Sequence, residues 1–180
     1  MSIKAMTLPL FRRDAGAVFS DDRRHRLRLW RYWGEAEPAC FCMLNPSTAD
    51  ESDLDPTLRR CVGFAKSWGC GGIDIVNLFA IVSPDPKVLL TDPDSVGADV
   101  LVRGAPVHNN QYITTAAKIA RFVVVGWGAF PKAGERARDV VELLASVGVR
   151  PMCLGTTAAG HPRHPLYLRK TSDLVSWEAP

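Results

Sequence analysis

The chain has 180 residues, 47% of them hydrophobic and 23% charged, with a formal net charge of +3. That is enough apolar material for one domain, which at this size buries roughly 70% of the surface of its unfolded chain, and no apolar run approaches the ~20 residues of a membrane-spanning helix. Five cysteines, an odd number without paired metal-ligand spacing, point to reduced thiols in a cytoplasm rather than to a disulfide framework or a zinc site.

The first segment, MSIKAMTLPLFRRD, carries an apolar patch too short and too interrupted by Pro9 to be a secretory signal. Positive charge is concentrated at this end. Residues 1–33 hold eight basic and three acidic side chains, whereas the remainder holds fourteen and sixteen. Arg26, Arg28, Trp30 and Tyr32 alternate with Leu27, Leu29, Arg31 and Trp33, the period of two expected of a strand. With residues 17–20 before it and Asp21-Asp22 at the turn, this segment is expected to form an antiparallel hairpin over 17–33. Two readings of its arginines stand. Arg26 and Arg28 on one face would contact a nucleic-acid backbone while the aromatic residues stack on bases; alternatively, the arginines of an edge strand block edge-to-edge pairing. Local sequence favours the second.

From residue 39 the pattern becomes strand–helix alternation. An apolar strand over 39–44 runs into Asn45-Pro46-Ser47-Thr48 and an acidic loop containing Asp50, Glu51 and Asp53. Asp55-Pro56 has the form of a helix start, and Leu58, Cys61, Val62, Ala65 and Trp68 follow at helical spacing until Gly69. A strand is expected over 73–78, then a Pro- and Asp-rich crossing over 83–95, a weak helix over 96–102 and a clearer one over 107–120. Residues 122–125 read as a buried strand, Ala137, Val140, Val141 and Leu144 as an amphipathic helix, 152–154 as a strand, and 172–177 as the closing element. Continuous apolar strands joined by helices predict a parallel sheet covered on both faces. The organisation is one domain over 1–180, with the hairpin at 17–33 and an α/β core at 39–177.

Four strand ends carry polar or glycine-rich residues, and in a parallel sheet such ends share one cleft at the carboxyl edge. Asn45 has a carboxamide able to hold a water or a ligand amide edge, and an Asx-type turn accounts for it equally well. Asn77 lies inside an apolar strand, where an amide is buried cheaply only with a partner. Gly126-Trp127-Gly128 permits close backbone approach, and Trp127 either stacks on a planar ligand or packs. His161 and His164 are separated by prolines that exclude a regular helix, and no third ligand of metal quality accompanies them. His164 is expected to donate to a ligand oxygen with Tyr167 or Arg169 nearby; a structural loop histidine is the competing reading, and it is the preferred one for His161. Ser47 lacks the flanking glycines of a nucleophile elbow, and no phosphate-binding loop or dinucleotide fingerprint is present, so no cofactor is expected. The acidic cluster Asp50, Glu51, Asp53 and Asp55 has two readings, a cation site or a solvated loop with a helix cap, and the second is favoured.

The motifs LNPSTAD, DPTLRRC, NLFA, GWG and HPLYL, in this order, closely resemble a bacterial family of small single-domain proteins of unknown function, over nearly the whole chain from the hairpin onward. A more distant resemblance is to the uracil-DNA glycosylase superfamily. Leu44-Asn45-Pro46-Ser47 lies beside its G-[IL]-N-P-G motif, His164-Pro165-Leu166-Tyr167-Leu168-Arg169 beside its H-P-S-Y-L-L-R motif, and Asn77 beside its base-pairing Asn. That resemblance implies a three-layer α/β/α sandwich with a short central parallel sheet and a pocket for a flipped or free base. It implies water positioning by Asn45, base reading by Asn77, charge stabilisation by His164 and stacking by Phe79 or Trp127. Met43 and Ser47 stand where that family has glycines, and Leu166 where it has serine. Two functional expectations follow. The first is a module that binds a nucleobase, nucleotide or nucleic acid in the cleft through Asn45, Pro46, Ser47, Thr48, Asn77, Phe79, Trp127, His164, Tyr167 and Arg169. The second is an N-glycosidic hydrolase with Asn45 and His164 as its catalytic residues. Binding is favoured, because no carboxylate is clearly placed in the sequence for acid–base work.

Overall fold

The structure is a computed structural model and describes residues 14–47 and 55–180. The expectations for the N-terminal segment, for Thr48 and for Asp50, Glu51 and Asp53 lie outside those residues. Nine strands and four α-helices follow in chain order: β1 (Asp14–Phe19), β2 (Arg26–Tyr32), β3 (Ala39–Met43), α1 (Pro56–Ser67), β4 (Gly72–Asn77), α2 (Val88–Thr91), β5 (Val100–Val102), β6 (Ala105–Val107), α3 (Asn109–Ile119), β7 (Phe122–Val125), α4 (Ala133–Ser146), β8 (Met152–Cys153) and β9 (Val175–Ser176). A 3₁₀ turn, Pro165–Tyr167, lies between the last two strands.

The main sheet has seven strands in the order β1-β2-β4-β3-β7-β8-β9. Its centre, β4-β3-β7-β8, is parallel, and it is flanked by the antiparallel β1-β2 hairpin on one side and β9 on the other. The hairpin therefore extends the sheet rather than standing apart from it. Every residue of β3 and β4 is buried, as two-sided coverage demands. Cys40, Cys42, Val76, Val123 and Val125 pack with Ile113, Ala116, Val140 and Leu144 of α3 and α4. Phe41, Met43, Ile73, Ile75 and Val124 pack with Leu58, Cys61 and Phe64 of α1. Complete burial of each large side chain in these layers contributes about 1.5–3 kcal/mol.

The helix ends follow their local chemistry. Asp55 caps α1 by accepting from the Leu58 N–H at 2.7 Å, Pro56 opens the helix, and Gly69 at φ +72° stops it. His108 and Gln111 form a reciprocal capping box at the start of α3.

Three expectations need correction. The weak helix over 96–102 is instead the β5-β6 hairpin. Its Arg103-Gly104 turn has both residues at positive φ (53° and 74°), and the Asp21 carboxylate accepts their N–H groups at 2.6 and 2.8 Å. Val100 and Val102 suit this strand better than a helix. The crossing over 83–95 contains the short helix α2. Finally, β2 is not an edge strand, because it pairs with β1 on one side and β4 on the other. Its arginines therefore do not protect an edge; β1 occupies that position.

No helix among the described residues is long and apolar enough to cross a membrane.

Candidate functional site

The parallel strands β3, β4 and β7 all end at one edge of the sheet. β3 connects through α1 to β4 on one side, and β7 connects through α4 to β8 on the other. Chain direction thus switches around β3, the position where open α/β sheets leave a crevice. A cleft of about 620 Å³ lies there. It is lined by Met43–Asn45 and Ser47 after β3, Asn77 at the end of β4, Asp55 and Leu58 at the start of α1, the 127–130 loop after β7, and His164, Leu166 and Tyr167 of the histidine loop. Arg26, at the start of β2, also reaches it.

Asn77 is the least ordinary group in this cleft. Its backbone sits in the β3-β4 ladder opposite Met43, its side chain lines the cleft, and the residue is only 1% exposed. Neither the amide nitrogen nor the amide oxygen has a hydrogen-bond partner among the described residues. A buried orphaned donor or acceptor costs about 1–3 kcal/mol, and here one side chain carries both.

His164 lines the same cleft. Its Nδ1 accepts the Leu166 N–H at 3.3 Å, so the neutral ring carries its proton on Nε2. Burial pushes its pKa below the usual histidine value, while the charge of Asp55 pulls in the other direction. The group is thereby held as a neutral donor near pH 7.

Asn45 divides its roles. Its Nδ2 donates to the carbonyls of Pro46 and Ser83, both at 3.0 Å, which ties the turn after β3 to the crossing loop. Ser47 Oγ lies 3.5 Å from Asp55 Oδ2. Asp55, expected as a helix cap, has a second place: one oxygen caps α1, and the carboxylate lines the cleft within electrostatic reach of His164 and Arg26. Arg26 is 4% exposed, and burial lowers its pKa to about 10 against the opposing pull of Asp55.

Other predicted site residues go elsewhere. Phe79 is 1% exposed and packed in the core beneath α3 and α4, so it presents no stacking face. Arg28 makes an ion pair through its Nε with Asp74 at 2.5 Å, and Tyr32 donates to the same carboxylate at 2.8 Å. This commits Arg28 to holding β2 on β4, and the cleft is lined without it. Pro46 is buried beside the cleft, and Arg169 is exposed outside its lining. Trp127 does line the cleft, braced edge-on by Trp177 at 5.2 Å. His161 belongs to the loop architecture, its carbonyl accepting from the Thr157 N–H.

The glycines of Gly126-Trp127-Gly128 serve the histidine loop. A Cβ on Gly126 would lie 2.8 Å from Pro165 Cδ, and Gly128 N–H donates to the Pro162 carbonyl at 2.9 Å. The close approach expected at this strand end is thus an approach of protein to protein, and it fixes His164 over the cleft. Among the described residues no group of three or more His, Cys, Asp or Glu is arranged to hold a metal ion.

Residues 26–166 match the model of a family described as a protein of unknown function, DUF1643, and the chain belongs to that family. No significant match is found among curated proteins or among solved structures.

Proposed function

We propose that the cleft binds a nucleobase, free or carried by a nucleotide or nucleic acid, and reads its hydrogen-bonding edge through Asn77. The observation that carries this reading is the buried Asn77 carboxamide, whose donor and acceptor both lack a partner among the described residues, in a residue that lines the cleft. A carboxamide is complementary to a planar edge that offers an acceptor beside a donor, the pattern that asparagine meets bidentately on a base. The His164 Nε2–H adds a neutral donor for a carbonyl oxygen, and Trp127 an aromatic wall. Helices on both faces of a short parallel sheet, with the cleft at its carboxyl edge, also support the distant likeness to the uracil-DNA glycosylase fold.

A second reading, N-glycosidic hydrolysis, is favoured by one observation, the Asp55 carboxylate in the cleft near Ser47 and His164. A carboxylate there supplies the missing acceptor for a water proton, and His164 a fixed donor for charge developing on the departing base, worth roughly 10²–10³ in rate. One experiment separates the two. Calorimetric titration with free bases and mononucleotides is run beside a base-release screen on oligonucleotides carrying uracil, hypoxanthine or mismatches. Binding lost in Asn77→Leu, without abasic product, supports the module. Abasic product lost in Asp55→Asn supports the hydrolase. If no base, nucleotide or oligonucleotide binds, the nucleobase reading fails.

A further inference from the structure

Trp177 follows directly on β9, and its backbone N–H donates to the Pro151 carbonyl at 3.1 Å, which seats the residue at the start of β8. Its side chain, 6% exposed in the residue as a whole, makes two further contacts. The ring meets Trp127 edge-on at 5.2 Å, and the indole Nε1–H donates to the Gly160 carbonyl at 3.0 Å. Trp127 is a wall of the cleft and Gly160 lies at the tip of the histidine loop, whereas Trp177 does not itself line the cleft.

The histidine loop carries the second contact to His164. Residues 155–163 close on themselves: the Arg163 N–H donates to the Gly155 carbonyl at 2.9 Å, the Thr157 N–H to the His161 carbonyl at 2.8 Å and the Gly160 N–H to the Thr157 carbonyl at 3.0 Å. A loop bonded in this way moves as one piece, and the next residue is His164. Its arm is held where the Gly128 N–H meets the Pro162 carbonyl, and its tip where Trp177 meets Gly160. Gly160 has φ +80°, and an added Cβ would lie 3.1 Å from Pro180 Cβ, so the tip is seated closely against the residues after Trp177 as well. Tryptophan suits this position because it joins a rigid apolar ring to one N–H donor. Phenylalanine would meet Trp127 and leave Gly160 unbound.

We propose that Trp177 is a positioning residue for the cleft, bracing Trp127 with its ring edge and fixing the histidine loop, and with it His164, through its indole N–H. The proposal rests on the reading of the cleft as a nucleobase site and adds the residue that sets two of its walls from behind.

The first readout needs no ligand. His164 is titrated by NMR in wild type and Trp177→Phe, with its ring resonance assigned by its absence in His164→Gln. Burial holds its pKa below the usual value, so a loop freed at its tip admits water and raises the pKa towards about 6.5. Among the described residues, the charged and titratable groups lining the cleft with His164 are Asp55 from the start of α1, Arg26 from the start of β2 and Tyr167 of its own loop. All are unchanged in Trp177→Phe. Losing one hydrogen bond also lowers Tm by about 2–4 °C. Ile73→Val, at the end of β4 away from Asn77, lowers it by a similar amount and is expected to leave the His164 titration unmoved. In wild type the Trp177 indole N–H resonance is expected to shift as His164 titrates, which tests the same link without a substitution. The second readout is calorimetry with the base or mononucleotide that wild type binds. Affinity falls roughly threefold or more in Trp177→Phe and further in Trp177→Leu, which also gives up the edge contact with Trp127. An unmoved His164 pKa in Trp177→Phe, an equal shift in Ile73→Val, or an indole resonance indifferent to the His164 titration overturns the positioning role and leaves Trp177 structural. Equal affinities of the Phe and Leu variants overturn the brace on Trp127. If wild type binds no base or nucleotide, the nucleobase reading fails, while the titrations still decide whether Trp177 sets His164.

Discussion

Replacing Asn77 by Leu removes the two orphaned polar atoms and keeps nearly the same shape. The carboxamide belongs to a residue 1% exposed and has no partner among the described residues. Each such buried group costs about 1–3 kcal/mol, whereas an apolar replacement of similar shape carries no such penalty. The backbone is unaffected, because the Asn77 carbonyl is held by Asn109 Nδ2 at 3.0 Å and the strand pairs in the β3-β4 ladder. Asn77→Leu is therefore expected to stabilise the free protein by at least about 1 kcal/mol, which for a domain of this size raises Tm by ~2–4 °C. If Asn77 reads a base edge as proposed, the same change deletes a bidentate contact worth about 1–3 kcal/mol, so base or nucleotide affinity falls by roughly tenfold or more. Thermal unfolding and calorimetric titration of wild type and variant measure both. A destabilised variant shows that the amide is a structural partner, and unchanged affinity shows that it is not the reader; either result defeats the reasoning.

Asp55→Asn retains a good helix cap and removes the charge, so it is expected to leave Tm nearly unchanged while abolishing any base release, whereas Asp55→Ala loses about 1 kcal/mol with the cap; thermal melts beside the base-release assay distinguish the two roles. His164 has its pKa lowered by burial, so between the unfolded value of about 6.5 and its lower folded value the unfolded chain binds the extra proton. The contribution of neutral His164 is thus complete above that window and is lost as pH falls through it. The wild-type Tm should drop more steeply than that of His164→Gln across this range, and equal slopes would place no titration there. Gly126→Ala puts a methyl 2.8 Å from Pro165 Cδ and is expected to cost roughly 1–3 kcal/mol and weaken ligand binding, because the histidine loop must move; a Tm and an affinity like those of wild type would refute the docking argument.

The strand–helix order and the cleft at the carboxyl edge were legible in the sequence because they depend on local periodicity and on punctuation at strand ends. Asn77 was legible for the same reason, as an amide inside an apolar run. Phe79 was expected to stack only through the resemblance to the uracil-DNA glycosylase superfamily, yet β4 ends at Asn77. Beyond it the chain turns, the Phe79 N–H bonds the Leu44 carbonyl, and the ring enters the opposite core layer. Asp55 was read correctly as a cap and missed as a cleft carboxylate, because only the packing of α1 beneath the end of β3 gives it a second neighbourhood. Arg26 and Arg28 alternate on one strand, but their fates separate through non-local partners. Asp74, buried in β4, takes Arg28, while the start of β2 carries Arg26 to the cleft. No local pattern announces which arginine meets which carboxylate.

The layer opposite α1 explains how the Asn77 amide is held ready. A parallel strand that ends leaves carbonyls without ladder partners, and buried carbonyls require donors. Asn109, fully buried at the start of α3, donates from Nδ2 to the carbonyls of Asn77 and Leu78 at 3.0 and 3.4 Å. Arg136 of α4 donates from Nε to the Leu78 carbonyl at 2.9 Å and from its terminal nitrogen to Asn110 Oδ1 at 2.6 Å. Both helices of one layer are thus fastened to the end of β4, and the side chain at that end faces the cleft on the other side of the sheet. Asn45 fastens the end of β3 to the crossing loop, and Gly126 seats the histidine loop on β7. The walls at Asn77 and His164 are therefore fixed by contacts lying outside the cleft, and the turn after β3 by one between two of its lining residues. Polar groups held in this way keep their geometry without a ligand, so a ligand that matches them meets little ordering cost on binding.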